Sequence, residues 1–108
     1  MHKLCSLDEI PDGEAIGRPL PEQGEVVLVR QSRDIYAYRN DCPHLGIELN
    51  YLPDVFLDTE KRYIQCINHD ALFQIDDGHC IFGPCQGQSL EKIAIEIRDD
   101  GVWLSPTP

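Results

Sequence analysis

Two short pairs of cysteine and histidine constrain this chain more than any other feature of its 108 residues. The first pair is Cys42-Pro-His44 and the second is Cys66-Ile-Asn-His69, with 21 residues between His44 and Cys66. Each pair lies where a run of strand-forming residues ends and the chain must turn. Two thiolates and two imidazoles make a complete set of four metal ligands. A fold that uses all four must bring the two turns together.

Runs rich in β-branched and aromatic residues predict strands on both sides of these turns. The predicted strands are residues 25–30, 35–39, 62–67, 71–75, 93–98 and 102–104. Hairpin turns are expected at 31–34 and 99–101. Only one short helical turn is expected, within residues 4–10, and residues 47–61 are expected to form a long loop or an irregular strand. Eight glycines and eight prolines divide these runs. This pattern predicts an all-β sandwich or barrel.

The length and charge of the chain restrict its function further. A chain of this length is expected to form a single domain over residues 1–108. The net charge of −10, from 19 acidic and 9 basic residues, argues against nucleic-acid or anionic-membrane partners and favours a partner with a basic patch. The alternative is that the acidity only keeps a small cytosolic protein soluble. No apolar run approaches the ~20 residues of a membrane span, and the N-terminal residues lack the apolar core of a signal peptide. We therefore expect a cytoplasmic location.

Five cysteines in a reducing compartment indicate metal ligands or thiols rather than a disulfide framework. Zinc is the first candidate for a set of two cysteines and two histidines. However, structural zinc sites usually use two cysteines two to four residues apart, and a Cys-x-His pair is an unusual arrangement for one tetrahedral ion. The pair suits a two-metal cluster better, since each loop can then serve both metals. A structural zinc protein remains an alternative.

The two motifs resemble the signature of Rieske proteins, and in particular of small Rieske-type ferredoxins. That signature is C-x-H-x-G in a first loop and C-x-x-H in a second, which here are residues 42–46 and 66–69. The resemblance extends over roughly residues 3–104. It implies a Rieske-like antiparallel β-sandwich with a small cluster-binding subdomain made of two loops, at approximately residues 40–86.

The resemblance also implies one 2Fe-2S cluster as the cofactor. Cys42 and Cys66 would bind one iron, and His44 and His69 would bind the other. In the family a Gly-Pro segment commonly covers the cluster, and Gly83-Pro84 stands at the corresponding place.

The chain departs from the family pattern at several positions. Asp70 replaces the glycine that usually follows the second histidine. Ile47 and Asn68 stand where the high-potential branch has a pair of disulfide-bonded cysteines, so that bridge cannot form. Ala71 and Phe73 stand where that branch has a serine and a tyrosine, whose hydroxyls raise the potential. The resemblance therefore implies a reduction potential around or below about −100 mV, near the low end of the Rieske range.

These features predict a one-electron carrier that is not an enzyme on its own. The chain is too short to also contain a mononuclear-iron oxygenase domain or a flavin domain. We expect a ferredoxin that takes electrons from a reductase and delivers them to an oxygenase or a similar redox partner. The alternative from another class is the small Rieske subunit of a nitrite reductase-like complex.

The remaining distinctive residues suggest structural roles. Cys80 and Cys85 are expected to be small buried packing residues, although a local disulfide or a redox-sensing thiol is also conceivable. Trp103 is expected in the core. Leu45 and Ile47, beside the first histidine, are candidates for a docking surface.

Overall fold

The structure, a computed structural model, describes residues 2–21, 24–40, 56–58, 60–66, 71–83 and 86–105. Within these ranges the regular structure is almost entirely β. The strands are β1 (His2–Ser6), β2 (Ala15–Pro19), β3 (Glu25–Gln31), β4 (Asp34–Arg39), β5 (Tyr63–Cys66), β6 (Ala71–Gln74), β7 (Cys80–Phe82), β8 (Ile95–Arg98) and β9 (Gly101–Leu104). A single 3₁₀ turn, Leu7–Glu9, follows β1.

The strands form three antiparallel sheets of three strands each. Sheet A has the order β1-β9-β8, sheet B the order β2-β3-β4, and sheet C the order β5-β6-β7. Sheets B and C are built from consecutive strands, whereas in sheet A the first strand pairs with the last. The predicted all-β antiparallel fold is confirmed.

Sheet B lies between two hydrophobic cores, which explains the uninterrupted apolar run Val26-Val-Leu-Val29 in β3. All four of these side chains are fully buried. Val26 and Leu28 belong to the core shared with sheet A (the A–B core), and Val27 and Val29 belong to the core shared with sheet C (the B–C core). Because successive side chains of a strand point to opposite faces, a strand covered on both sides is apolar throughout.

The B–C core supports the strands that lead into the predicted ligand loops. Its buried members are Ala15, Val27, Val29, Tyr38, Phe56, Ile64, Cys66, Ala71, Phe73, Ile75, Cys80 and Leu90. Tyr38 joins the two sheets, because its hydroxyl donates a hydrogen bond to the carbonyl oxygen of Ile75, just after β6. Its ring also lies against Gly78, where an added Cβ would come within 2.7 Å of the ring.

Two hairpin turns use residues in the left-handed region without glycine. Gln31 pairs with Asp34, which leaves a two-residue loop in which Ser32 has φ 58°. Arg98 pairs with Gly101, so the loop of the last hairpin is Asp99 (φ 50°) and Asp100 (φ 61°). Both turns occur where the sequence predicts them.

Several elements of the structure differ from those that the sequence pattern predicts. Strands β1, β2 and β7 were not predicted, and Leu4 and Cys5 lie in β1 rather than in a helical turn, which is confined to Leu7–Glu9. The expectation for residues 47–61 falls largely outside the described residues. Trp103 is only half-buried, and its ring NH donates to the carbonyl of Arg98 at 3.3 Å; its neighbour Val102 is the core residue.

No helix in the described part of the chain is long and apolar enough to cross a membrane.

Candidate metal centre

Cys66 is the one predicted ligand that lies within the described residues. It is the last residue of β5 and pairs with Ala71, the first residue of β6. Residues 67–70, which include His69, stand in the sequence between these two paired strands. The Cys66 side chain is fully buried. A buried thiol on a paired strand is a suitable metal ligand, since the backbone that carries it is held by the strand pairing.

The other three predicted ligands lie outside the described residues. Cys42 and His44 fall within residues 41–55, and His69 falls within 67–70. Among the residues that are described, no three Cys, His, Asp or Glu side chains converge to hold a metal ion. The structure therefore fixes the ends of the two ligand segments rather than the ligand set itself.

The start of the first ligand segment is fixed at Asn40, two residues before Cys42. Asn40 is buried, with only 6% of its surface exposed. Its backbone NH donates to the carbonyl oxygen of Glu25, and its side-chain amide donates to Oε1 of Glu25, both at 2.8 Å. Since a buried amide is costly to leave without partners, this double contact holds the chain where it leaves β4.

The end of the first segment lies beside the start of the second. Phe56 is 1% exposed, and its carbonyl oxygen accepts a hydrogen bond from the backbone NH of Gln65 at 2.7 Å. The next residue, Leu57, forms a bridge with Ile64. The chain leaving residues 41–55 therefore runs along the strand that ends at Cys66.

Gly17 of β2 lets both ends of the first segment approach the same place. An added Cβ at Gly17 would lie 2.8 Å from Oε1 of Glu25, which Asn40 holds, and 3.0 Å from the ring of Phe56. Real Cβ atoms do not come this close to other heavy atoms, so a side chain at position 17 would push one or both away. The sequence alone gave no reason to single out Asn40, Glu25 or Gly17.

Gly83 lies against Ala71, the first described residue after the second predicted ligand segment. Its φ is 105°, and an added Cβ would come within 2.8 Å of the Cα of Ala71. Glycine is required here because other residues rarely adopt this backbone conformation and because a side chain would collide with Ala71. This places the first residue of the predicted covering segment directly beside Ala71; Pro84 itself lies outside the described residues.

The remaining described thiols, Cys5 and Cys80, are buried. Cys80 belongs to the B–C core, as predicted for a packing residue, and its thiol donates to the carbonyl oxygen of Phe82 at 3.2 Å. Cys5 belongs to the A–B core, where burial and then the nearby Glu9 carboxylate raise the pKa of its thiol. The described cysteines form no disulfide with one another. The prediction for Cys85 lies outside the described residues.

The structure around Cys66 is compatible with an iron–sulfur cluster. The thiol of Cys66 is buried, its strand partner Ala71 is buried, and Gly83 lies against Ala71. Ala71 and Phe73, the first and third residues of β6, are both fully buried. Neither side chain carries a hydroxyl, so neither can donate a hydrogen bond to a sulfur of the cluster.

Comparison with protein families gives one match that covers most of the chain. The sequence profile of the Rieske [2Fe-2S] domain matches residues 1–97. No curated protein is similar enough in sequence to count as a relative.

Solved structures with the same fold include several Rieske proteins. The ferredoxin of carbazole 1,9a-dioxygenase from Nocardioides aromaticivorans IC177 matches with a TM-score of 0.77 and 21% identity, over 97% of this chain and 96% of that chain. A complex of reduced oxygenase and oxidised ferredoxin in carbazole 1,9a-dioxygenase matches with a TM-score of 0.77 and 20% identity, over 95% and 90%. The cyanobacterial plasma-membrane Rieske protein from Synechocystis PCC 6803 matches with a TM-score of 0.75 and 19% identity, over 97% and 99%. At these identities the likeness concerns the fold alone.

Proposed function

This chain belongs to the Rieske family, and on that premise we propose that it is a one-electron carrier of the ferredoxin type. A Rieske domain holds a single 2Fe-2S cluster, which supplies reversible one-electron transfer when it is bound. The observation that carries the proposal is the buried Cys66 at the base of the loop between β5 and β6. The cluster-binding part would span approximately residues 40–86 of a single domain over residues 1–108.

We propose Cys42 and Cys66 as the ligands of one iron, and His44 and His69 as the ligands of the other. The rest of the site supports these ligands and excludes water. The contacts of Asn40 with Glu25, and of Phe56 with Gln65, hold the two ends of the first ligand segment. Gly83 lies against Ala71, the residue that follows the proposed second ligand segment.

The proposed electron acceptor is an oxygenase, with a reductase as the donor. Two neighbours with this fold are described as a ferredoxin of carbazole 1,9a-dioxygenase and as an oxygenase–ferredoxin complex. The net charge of −10 supports protein partners with basic contact surfaces. We propose that the chain acts in the cytoplasm, without nucleic-acid or membrane partners, as a component of a multicomponent oxidoreductase.

We further propose a reduction potential near the low end of the Rieske range, around or below about −100 mV. Two features support it. The buried side chains of Ala71 and Phe73 offer no hydroxyl to stabilise an added electron. The negative net charge also opposes the addition of an electron.

The ligand assignment is tested by a pair of cysteine variants. Cys66 and Cys80 are both fully buried in the same core, so Cys66→Ala and Cys80→Ala remove matched thiols. We expect wild-type protein to contain two iron and two sulfide per chain and to be red-brown. Cys66→Ala should lose the visible absorbance, the iron and much of its stability, because metal-binding free energy is partly folding free energy. Cys80→Ala should keep its iron and lose only about 1 kcal/mol of stability.

Two results would contradict the proposal. If Cys66→Ala retained its iron, sulfide and colour, the ligand assignment would be wrong. A colourless wild-type protein that contains zinc would rule out the electron-carrier function altogether.

A further inference from the structure

Phe82 is the most exposed large hydrophobic side chain among the described residues. It is 60% exposed, and only Ile97, at 45%, is comparable. Its backbone is nevertheless well held: Phe82 pairs with Leu72 in sheet C, and its carbonyl oxygen accepts the thiol hydrogen bond of Cys80. The exposed side chain therefore belongs to a residue whose backbone is paired within the sheet.

Phe82 belongs to a row of side chains that crosses sheet C next to the second ligand loop. Gln65 pairs with Leu72, and Leu72 pairs with Phe82. Their neighbours Ile64 and Phe73 are fully buried, so the row lies on the opposite face of the sheet, away from the B–C core. We refer to Gln65, Leu72 and Phe82 as the Phe82 face. With strands about 4.8 Å apart, the Cα of Phe82 lies about 10 Å from that of Cys66.

The Phe82 face lies in an uncharged part of a strongly charged protein. Residues 78–90 contain no Asp, Glu, Lys or Arg, although these four types make up 26% of the chain. The three strands of sheet C also carry no charged residue. Ile97 differs in this respect, since it lies between Glu96 and Arg98 and just before the Asp99–Asp100 turn.

We infer that the Phe82 face is the surface on which a redox partner protein docks, and that the partner presents an apolar contact centre ringed by lysine and arginine. The cores of protein interfaces are enriched in aromatic residues and depleted of charge, as this face is. The net charge of −10 on the whole chain would attract a basic ring and increase the rate of encounter. The inference rests on the proposed electron-carrier function, because it names the contact surface of that carrier.

A second copy of the chain is a less suitable occupant of this face. Two copies each carry a net charge of −10 and repel one another, whereas a basic partner is attracted. Self-association at this face is therefore an outcome that the test must separate from docking.

Electron transfer to two oxidants of different size tests the inference. Dithionite-reduced protein, freed of excess reductant, is mixed in a stopped-flow instrument with the basic haem protein cytochrome c, or with hexacyanoferrate(III). The variants are Phe82→Ser and, as a matched control, Ile97→Ser, which removes the other large exposed apolar side chain. Iron content and the visible spectrum are compared first, and sedimentation gives the oligomeric state of each protein.

We expect Phe82→Ser to lower the second-order rate constant with cytochrome c about fivefold, the change that ~1 kcal/mol at a contact centre produces. Ile97→Ser should react as fast as wild type. All three proteins should reduce hexacyanoferrate(III) equally fast, because a small ion needs no docking surface.

Several results would overturn the inference. The first is that Phe82→Ser and Ile97→Ser react with cytochrome c at equal rates. The second is that Phe82→Ser loses its iron. The third is that the wild-type protein is a dimer and Phe82→Ser dissociates it. A wild-type protein that reduces hexacyanoferrate(III) but not cytochrome c would exclude a basic partner. None of these results removes the cluster from the wild-type chain, so the proposed function fails separately, when wild-type protein contains no iron.

Discussion

At the scale of single residues, the side chain at position 71 is suited to control the potential of the proposed cluster. Ala71 lies opposite Cys66, is fully buried and contacts Gly83. A hydroxyl at position 71 would be buried directly after the second predicted ligand segment. The methyl group of alanine offers no such donor.

We therefore expect Ala71→Ser to raise the reduction potential. A hydrogen bond to a charged group contributes roughly 1.5–3 kcal/mol, and ~1.4 kcal/mol corresponds to about 59 mV for one electron. With imperfect geometry the shift should be tens of millivolts, and up to ~100 mV if the geometry is good. A redox titration followed by visible circular dichroism measures it. Ala94→Ser, which adds a hydroxyl at an exposed position, should leave the potential unchanged; an equal shift in both variants would contradict the explanation.

The sequence allows a prediction of the ligand residues because each pair is a short motif whose chemistry is local. The residues that hold the end of β4, before the first predicted ligand segment, could not be predicted from the sequence. Asn40 and Glu25 are 15 positions apart and meet only because the register of β3 places Glu25 beside the end of β4. The exposure of Phe82 likewise depends on the bulge between Leu72 and Phe73, which sets how β7 pairs.

At the scale of strands and turns, the sequence predicts best where the hydrophobic pattern and the turn chemistry agree. Strands β3, β4, β5, β6 and β9 follow runs of β-branched and aromatic residues bounded by polar turns. Strand β2 contains Gly17, Arg18 and Pro19, and β7 has only three residues. Neither carries a strand pattern by itself, and both are strands because a neighbouring strand offers hydrogen bonds.

The β3–β4 turn gives a prediction about stability. Only the first residue of the Ser32-Arg33 loop has a positive φ, which is the pattern of a type II′ turn, where glycine is preferred. The contacts of Ser32 with Asp12 and Arg30 use its backbone NH and carbonyl oxygen, so glycine would keep them.

We expect Ser32→Gly to stabilise the protein by roughly 0.5–1 kcal/mol. Glycine relieves the strain of the left-handed conformation, which is about 1–2 kcal/mol. Its greater conformational entropy in the unfolded chain costs ~0.4–1 kcal/mol of stability, which is less. The thermal midpoint of the iron-loaded protein should rise by roughly 2–6 °C, as measured by circular dichroism. Ser32→Ala keeps the Cβ and should give no increase. If alanine stabilised the protein as much as glycine, the turn strain would not be the cause.

At the scale of the whole molecule, the described residues form three sheets around two cores, with sheet B shared between them. The first ligand segment begins at the end of sheet B, and the second begins at the end of β5 in sheet C. The relative position of the two predicted ligand loops therefore depends on how sheets B and C are joined. Tyr38 is one such connection, through its packing on Gly78 and its hydrogen bond to Ile75.

The burial of Tyr38 predicts how this connection depends on pH. Burial first, and then the negative charges of Asp77 and Asp76, raise the pKa of the Tyr38 hydroxyl well above its usual range. The folded protein thus keeps this proton at pH values where the unfolded chain, with a tyrosine pKa of ~10, has lost it. The stabilisation is complete below about pH 10 and decreases as the pH rises from there towards the folded pKa, by up to ~1.4 kcal/mol per pH unit.

We expect Tyr38→Phe to change the stability near neutral pH and also the rate at which stability falls at high pH. Near neutral pH the variant should be less stable by about 1–3 kcal/mol, because the Ile75 carbonyl loses its donor in a buried place. Above about pH 10 it should lose stability with pH less steeply than wild type, since the phenol that titrates on unfolding is gone. Urea unfolding between pH 7 and 11 measures both effects, with Tyr36→Phe as the control for removing a half-buried phenol from the same strand. If wild type and Tyr38→Phe lost stability in parallel above pH 10, a group other than Tyr38 would govern the alkaline limit of the fold.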